Sequence, residues 1–197
     1  YLNMVRFFLL FFILFAPMFS YAQQRVTGGG VLEILEVEFY ERKSRGKLDS
    51  CEITYLIAFQ DHVYRQGKLS AIRGSVNFMG FIGSPDKPPA VLLKVTAFDL
   101  DDNGGYKIAP LEYAYISSQG QSYAGKEFIV GPAEDGGLLV AYEALKNMYL
   151  GVQVSEQMSI NFTRKSGRSD ISVPVNFGSF NPNASLSYTN CSIELID

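Results

Sequence analysis

Apolar and polar residues alternate in short runs along most of the chain, with glycine and proline between the runs. Residues 51–59 (CEITYLIAF) put Cys51, Ile53, Tyr55, Ile57 and Phe59 on one side of an extended backbone. Residues 70–80 put Ile72, Gly74, Val76 and Phe78 on one face and Arg73, Ser75 and Asn77 on the other. The run 31–40 alternates with one slip. Glu36 and Glu38 share one side and Leu35, Val37 and Phe39 the other, while Glu33 breaks the phase, which predicts a bulge or a strand edge. Residues 91–98 (VLLKVTAF) are apolar almost throughout, as a central strand is. Residues 111–117 and 126–130 are two further strand candidates.

One segment changes period. Leu138, Leu139, Tyr142, Leu145 and Tyr149 recur at spacings of three and four behind the acidic pair Glu134-Asp135, and Gly151 follows. This pattern predicts an amphipathic helix at 136–149. Alternation then returns. Val152, Val154, Met158, Ile160 and Phe162 lead into the turn Arg164–Asp170, and Ile171, Val173, Val175 and Phe177 follow. This is the clearest hairpin in the chain, with Pro174 favouring an edge strand. The tail, 184–196, suits a strand or a short helix. The basic stretch Arg42–Lys47 falls between two strand patterns and reads as a solvated hairpin turn. Together these elements predict a mainly β fold: a single-domain antiparallel β-sandwich, or a partly closed barrel, with one helix near 136–149.

The N-terminal segment follows another logic. Met4-Val5-Arg6 precedes the unbroken apolar run Phe7–Phe15, then Pro17 and the small-residue pattern Ser20-Tyr21-Ala22. This is the order of a secretory signal peptide over residues 1–22, with three extra residues before Met4. The apolar run is too short to span a bilayer. The domain expected is 23–197, periplasmic or secreted, with no transmembrane segment in the mature chain. Cys51 and Cys191 are the two cysteines, and an even count in an exported chain implies a disulfide between them.

The formal net charge is −3. A balance on that side, with no clustered basic face, argues against a nucleic-acid partner. Candidate chemistry is sparse. Asp99, Asp101 and Asn103, followed by Gly104, match the first half of a calcium loop, but Pro110 stands where the bidentate Glu belongs, so an ordinary β-turn competes with it. Ser122, in Gly120-Gln-Ser-Tyr-Ala124, resembles a nucleophile elbow without its final glycine. His62, the one histidine, is its only available base. Thr27–Gly30 lacks the spacing of a phosphate loop. Tyrosines 106, 113, 115 and 123 could flank one sheet face as a sugar platform, though the chain has no tryptophan. Asn161, Asn183 and Asn190 head glycosylation sequons. No catalytic set and no cofactor is implied.

The Cys51 strand running on through Gly67-Lys-Leu-Ser-Ala-Ile-Arg-Gly-Ser-Val76, the Leu93-Lys94-Val95 strand, and the ending with Arg164-Lys-Ser-Gly-Arg-Ser-Asp170 and a late cysteine resemble uncharacterised exported proteins of Gram-negative bacteria. Residues 145–195 are more distantly similar to the invasion-associated locus B family, in a "helix, glycine, hairpin, cysteine" order. That family has two disulfides, whereas this chain has the cysteines for one. The resemblance implies a β-sandwich outside the cytoplasm and carries no catalytic residue with it. The expected function is that of an exported non-enzymatic protein that contacts another protein or a cell-envelope component. A hydrolase of envelope glycans or esters, and a calcium- or carbohydrate-binding module, are the alternatives.

Overall fold

The computed structural model describes residues 31–80, 90–118, 121–125, 128–143 and 158–195. In chain order the strands are β1 (Val31–Ser44), β2 (Lys47–Asp61), β3 (Lys68–Met79), β4 (Ala90–Leu100), β5 (Tyr106–Ala109), β6 (Leu111–Ser118), β7 (Gln121–Ser122), β8 (Ile129–Pro132), β9 (Leu138–Glu143), β10 (Met158–Arg164) and β11 (Ile171–Val175). Helices α1 (Phe177–Phe180) and α2 (Pro182–Glu194) follow. The strands make two antiparallel sheets. The larger runs β1-β2-β3-β4-β9-β8, with β5 also paired to β4, and the smaller runs β11-β10-β6-β7. The sheets stack as a sandwich and do not close into a barrel.

The period-two pattern decides which face is core. Cys51, Ile53, Tyr55, Ile57 and Phe59 are all at most 1% exposed, and Ile72, Val76 and Phe78 lie beside them. At one end this face meets the smaller sheet, where Phe59 sets its ring edge-on to Phe162 at 6.0 Å. At the other end it meets the helices, where Tyr55 stacks on Phe177 and Cys51 is bonded to Cys191 of α2 with Cα atoms 5.9 Å apart. Gly74 makes room for this packing. Tyr55 lies directly opposite it and reaches across to donate its hydroxyl to the Lys94 carbonyl at 2.8 Å. A Cβ on Gly74 would stand 1.9 Å from that carbonyl oxygen.

Several expectations from the pattern hold. β1 is an edge strand with register shifts at Val31/Glu33 and Ile34/Glu36. The second shift corrects the assignment of Leu35. Ile34, Val37 and Phe39 turn toward the core, and Leu35, the extra residue, is 46% exposed. The basic stretch forms the β1–β2 turn, with Arg45 and Gly46 both at positive φ, as a two-residue type I′ hairpin demands. Pro174 lies on β11, an edge of the smaller sheet. The tail is helical. Asn181 caps α2 by accepting the Ala184 N–H, Pro182 opens the helix, and the same Asn181 donates to the Val37 carbonyl at 2.9 Å.

The helix expected at 136–149 is wrong over its first half. Leu138–Glu143 is strand β9, and 144–149 lie outside the described residues. Leu138, Val140 and Tyr142 also alternate, and they face inward opposite Val95, Leu93 and Val91 of β4. The open edge of a central apolar strand offered a ladder of backbone hydrogen bonds, and tertiary pairing overrode the helical reading. Glu134-Asp135 is the tip of the β8–β9 turn, closed by Gly136 at φ +80, and Asp135 pairs with Lys94 at 2.8 Å. Residues 1–30, including the segment expected to be a signal peptide and the glycine run, also lie outside the described residues. No helix among the described residues is long and apolar enough to cross a membrane.

Candidate functional site

Three strands carry a charge on their inward phase. Asp61 continues the alternation of Cys51–Phe59, Asp99 that of Val91–Ala97, and Arg164 that of Met158–Phe162. A charge delivered to a core face must find partners, because an unpaired buried ion is costly. Arg164 supplies the answer. Its Nη2 donates to Asp61 Oδ2 at 2.6 Å and to Asp99 Oδ1 at 2.7 Å, so a residue of the smaller sheet grips two carboxylates of the larger one. Asp61 is fully buried, and its other oxygen accepts the N–H groups of Val63 (3.0 Å) and Tyr64 (2.7 Å). Arg65 lies with its Nε 3.6 Å from Asp99 and donates to the Leu100 carbonyl. The Tyr64 ring lies under the Arg164 guanidinium at 5.5 Å.

The electrostatics follow from that placement. Burial alone would push the Asp99 carboxyl up; Arg164, with Arg65 and the Ser70 hydroxyl, more than reverses this and holds it below the usual carboxylate range. Burial likewise works against the charge on Arg164, and Asp99 and Asp61 override it, so the guanidinium is held more firmly protonated than usual. Two carboxylates balance two guanidinium groups. Placed so, the set fastens one sheet to the other.

What it fastens is the β10–β11 hairpin. The Tyr64 hydroxyl donates to the Ser169 carbonyl and accepts the Ser169 N–H at 3.2 Å. Gly167 permits this approach, since a Cβ there would stand 2.3 Å from the Tyr64 oxygen. On the opposite, outer face of the smaller sheet the same hairpin walls a cavity of about 470 Å³, bordered by Glu112, Tyr113, Tyr115, Thr163, Arg168 and Asp170. The Tyr113 and Tyr115 rings stand 5.5 Å apart at 47°. The Tyr115 hydroxyl donates to Asp170 Oδ2 at 2.9 Å, and the Thr163 hydroxyl donates to Oδ1. Glu112 accepts the Ser166 N–H at 3.2 Å, which ties the hairpin tip to β6.

The outer face of the larger sheet divides in two. Leu56 and Ala58 of β2, Leu69 and Ala71 of β3, Phe98 and Leu100 of β4, and Tyr106 and Ile108 of β5 occupy adjoining outward positions. Leu69, Tyr106 and Ile108 are 46%, 72% and 41% exposed. Phe98 and Tyr106 pack edge-on at 5.6 Å. The flanking strand β1 sets Glu33 beside Ala58, Glu36 beside Leu56 and Glu38 beside Thr54. The result is an apolar platform with an acidic margin.

The residues singled out by sequence fall in different places. Asp99 is engaged by Arg164 and Arg65. Asp101 accepts the N–H groups of Asn103 (3.0 Å) and Gly105 (2.6 Å) in the β4–β5 hairpin turn. The two carboxylates thus serve different partners, and Asn103 is exposed. Among the described residues no three His, Cys, Asp or Glu side chains gather as a metal-binding group. His62 sits over Gly67 in the β2–β3 turn, within 3.3 Å of Gln60, while Ser122 pairs with Ser117 near the far end of β6. The ionic cluster beside His62 is level with Leu111, so about 20 Å of strand separates the two, too far for a nucleophile and its base. Tyr113 and Tyr115 share a face, but Tyr106 lies on the other sheet and Tyr123 packs edge-on to the buried Tyr142. Asn161 is 1% exposed and its amide donates to Ser117 and Ser159, so that sequon is closed off; Asn183 and Asn190 are exposed on α2.

Sequence reasoning missed the roles of Asp61 and Arg164, although each stands on the apolar phase of its strand, which is the signal that marks it. Comparison of the chain with models of known protein families, with curated proteins and with solved structures finds no match.

Proposed function

We propose that this chain is an exported, non-enzymatic binding protein of the periplasm or cell exterior that works through protein–protein contact. The observation that carries the reading is the apolar platform on the outer face of the larger sheet. Leu69 on β3 and, across Phe98 and Leu100 of β4, Tyr106 and Ile108 on β5 leave much of their surface in water, and apolar surface continued across strands in this way marks interaction sites. The acidic margin formed by Glu33, Glu36 and Glu38 gives the partner its chemistry: an apolar strip bordered by lysine or arginine. The Cys51–Cys191 bond suits an oxidising compartment, as do the leader pattern of residues 4–22 and the resemblance to exported Gram-negative proteins.

The edges of the sheets favour contact through this face rather than by strand addition. β1 carries bulges and four glutamates, β11 carries Pro174, and β7 is two residues long. These are devices that discourage edge-to-edge pairing. The test is a photo-reactive amino acid at position 106 of the chain produced in its own cells, with position 183 on α2 as the control. A discrete protein adduct from position 106 and none from 183 is expected. The same adducts from both positions, or none from 106, would overturn the reading.

A further inference from the structure

We propose that the cavity on the outer face of the smaller sheet binds a saccharide, with Tyr113 as the platform under the sugar ring and Asp170 and Arg168 as its hydroxyl partners. This site lies on the other sheet from the protein-contact platform and stands independently of it.

The cavity volume, about 470 Å³, falls in the range of small-ligand sites, roughly 300–1,000 Å³. Its chemistry is mixed in the way a sugar requires. A pyranose has an apolar face of C–H groups and a rim of hydroxyls. The C–H face suits the electron-rich face of an aromatic ring, and Tyr113, half-buried on β6, borders the cavity. Tyr115, at 5% exposure, braces Tyr113 from the side and orients Asp170. The hydroxyl rim needs fixed acceptors and donors. Asp170 receives one hydroxyl hydrogen bond on each oxygen, from Tyr115 and Thr163. A carboxylate has about four lone-pair sites, so both oxygens keep capacity to accept from neighbouring sugar hydroxyls. Arg168, exposed at the rim, supplies the donors and no acceptor.

The wall is also held in advance. The hairpin that carries Gly167, Arg168 and Asp170 is tied down by Tyr64 at Ser169, by Arg164 to the larger sheet, and by Glu112 at Ser166. A wall fixed before binding lowers the ordering cost of binding. The buried ionic cluster acts here through the hairpin, as a positioning device.

The probes are maltose, cellobiose and di-N-acetylchitobiose, with glycerol as a hydroxylated control that has no ring face. The readout is saturation-transfer NMR on the disulfide-bonded chain. At least one disaccharide is expected to show transfer to its ring C–H protons above the glycerol level. Tyr113→Phe is expected to keep that transfer, and Tyr113→Ala and Arg168→Ala to weaken binding at least tenfold with the thermal transition intact. If all three disaccharides match glycerol, or if transfer survives unchanged in Tyr113→Ala, the assignment fails. Loss of the protein adduct at position 106 would leave these outcomes unaffected, so the two readings fail separately.

Discussion

Strand β2 is anchored at both ends to the last third of the chain, by opposite means. At Cys51 the tie is one covalent bond to α2. At Asp61 it is a set of charges, in which Arg164 holds Asp61 and Asp99 from the facing sheet and Tyr64 and Arg65 complete the enclosure. Both ties close long loops: 140 residues separate Cys51 from Cys191, and 103 separate Asp61 from Arg164. The covalent tie acts mainly by restricting the unfolded chain and ignores pH and salt. The ionic tie acts in the folded state only. It offsets a large desolvation cost, so its worth lies less in net stability than in requiring one arrangement of the two sheets.

The largest expected effect is at the covalent end. Replacing both cysteines, Cys51→Ala with Cys191→Ala, is expected to destabilise the fold by about 5 kcal/mol on the loop-entropy argument, an upper figure because strain and residual unfolded structure reduce it. Urea denaturation of oxidised wild type against the double variant measures it. A loss below about 1 kcal/mol would mean that the packing of α2 on β1 and β2 holds this end without the bond.

The ionic end breaks differently. Arg164→Met removes the shared cation and leaves Asp61 buried beside Asp99, a change expected to cost about 3–5 kcal/mol. Adding Asp61→Asn should recover part of that loss, because asparagine keeps an acceptor for the Val63 and Tyr64 N–H groups and takes away the stranded charge. The pH dependence separates the two ends. Asp99 is held below its ordinary value when folded, so its contribution is complete above the unfolded value, about 3.9, and is lost as pH falls through the folded one. In Arg164→Met the burial that Arg164 offsets is left to raise the Asp99 carboxyl, so the variant takes up its proton at higher pH than the wild type does. The gap between the two should therefore be widest near neutral pH and narrow progressively on acidification from about pH 8 to 4, while the gap for the cysteine variant should not. Denaturation midpoints across that range check both slopes; a gap that widens on acidification would show that Asp99 is not held as argued.

How much of this was legible follows from where each residue stands in the period. The faces of β2, β3 and β11, the bulge in β1 and the bridge between the cysteines were readable, because burial on one face imposes strict alternation and a pair of cysteines has one internal pairing. The 138–143 segment was misread because Leu138 and Tyr142 fit spacings of both two and four, and only the waiting edge of β4 decides between them. Asp99 was noticed as a calcium candidate from its local spacing with Asp101 and Asn103. Its partner Arg164 is 65 residues away, and nothing local distinguishes that arginine from Arg168 in the same turn except strand phase. The tyrosine cavity was half visible. Tyr113 and Tyr115 are two apart on one strand, whereas the Asp170 that completes the site comes from the neighbouring hairpin.

The smallest effect tests whether the two anchors act locally or through the whole domain. Gly167 lies where a side chain would meet the Tyr64 hydroxyl at 2.3 Å and the Arg164 carbonyl at 2.8 Å. Gly167→Ala must displace the tip of Tyr64 or shift the hairpin, at a cost of about 1–3 kcal/mol as an overpacking change. The tyrosine is the softer neighbour, so the hydrogen bond from the Ser169 N–H to its oxygen should give way first. Amide exchange reads this directly. Faster exchange at Ser169, with the amides of Cys51 to Tyr55 changed only by the global loss, is the expected pattern, because the covalent anchor holds its own end of β2. Equal acceleration at both ends would mean that the strand transmits the disturbance along its length and that the two fastenings work as one.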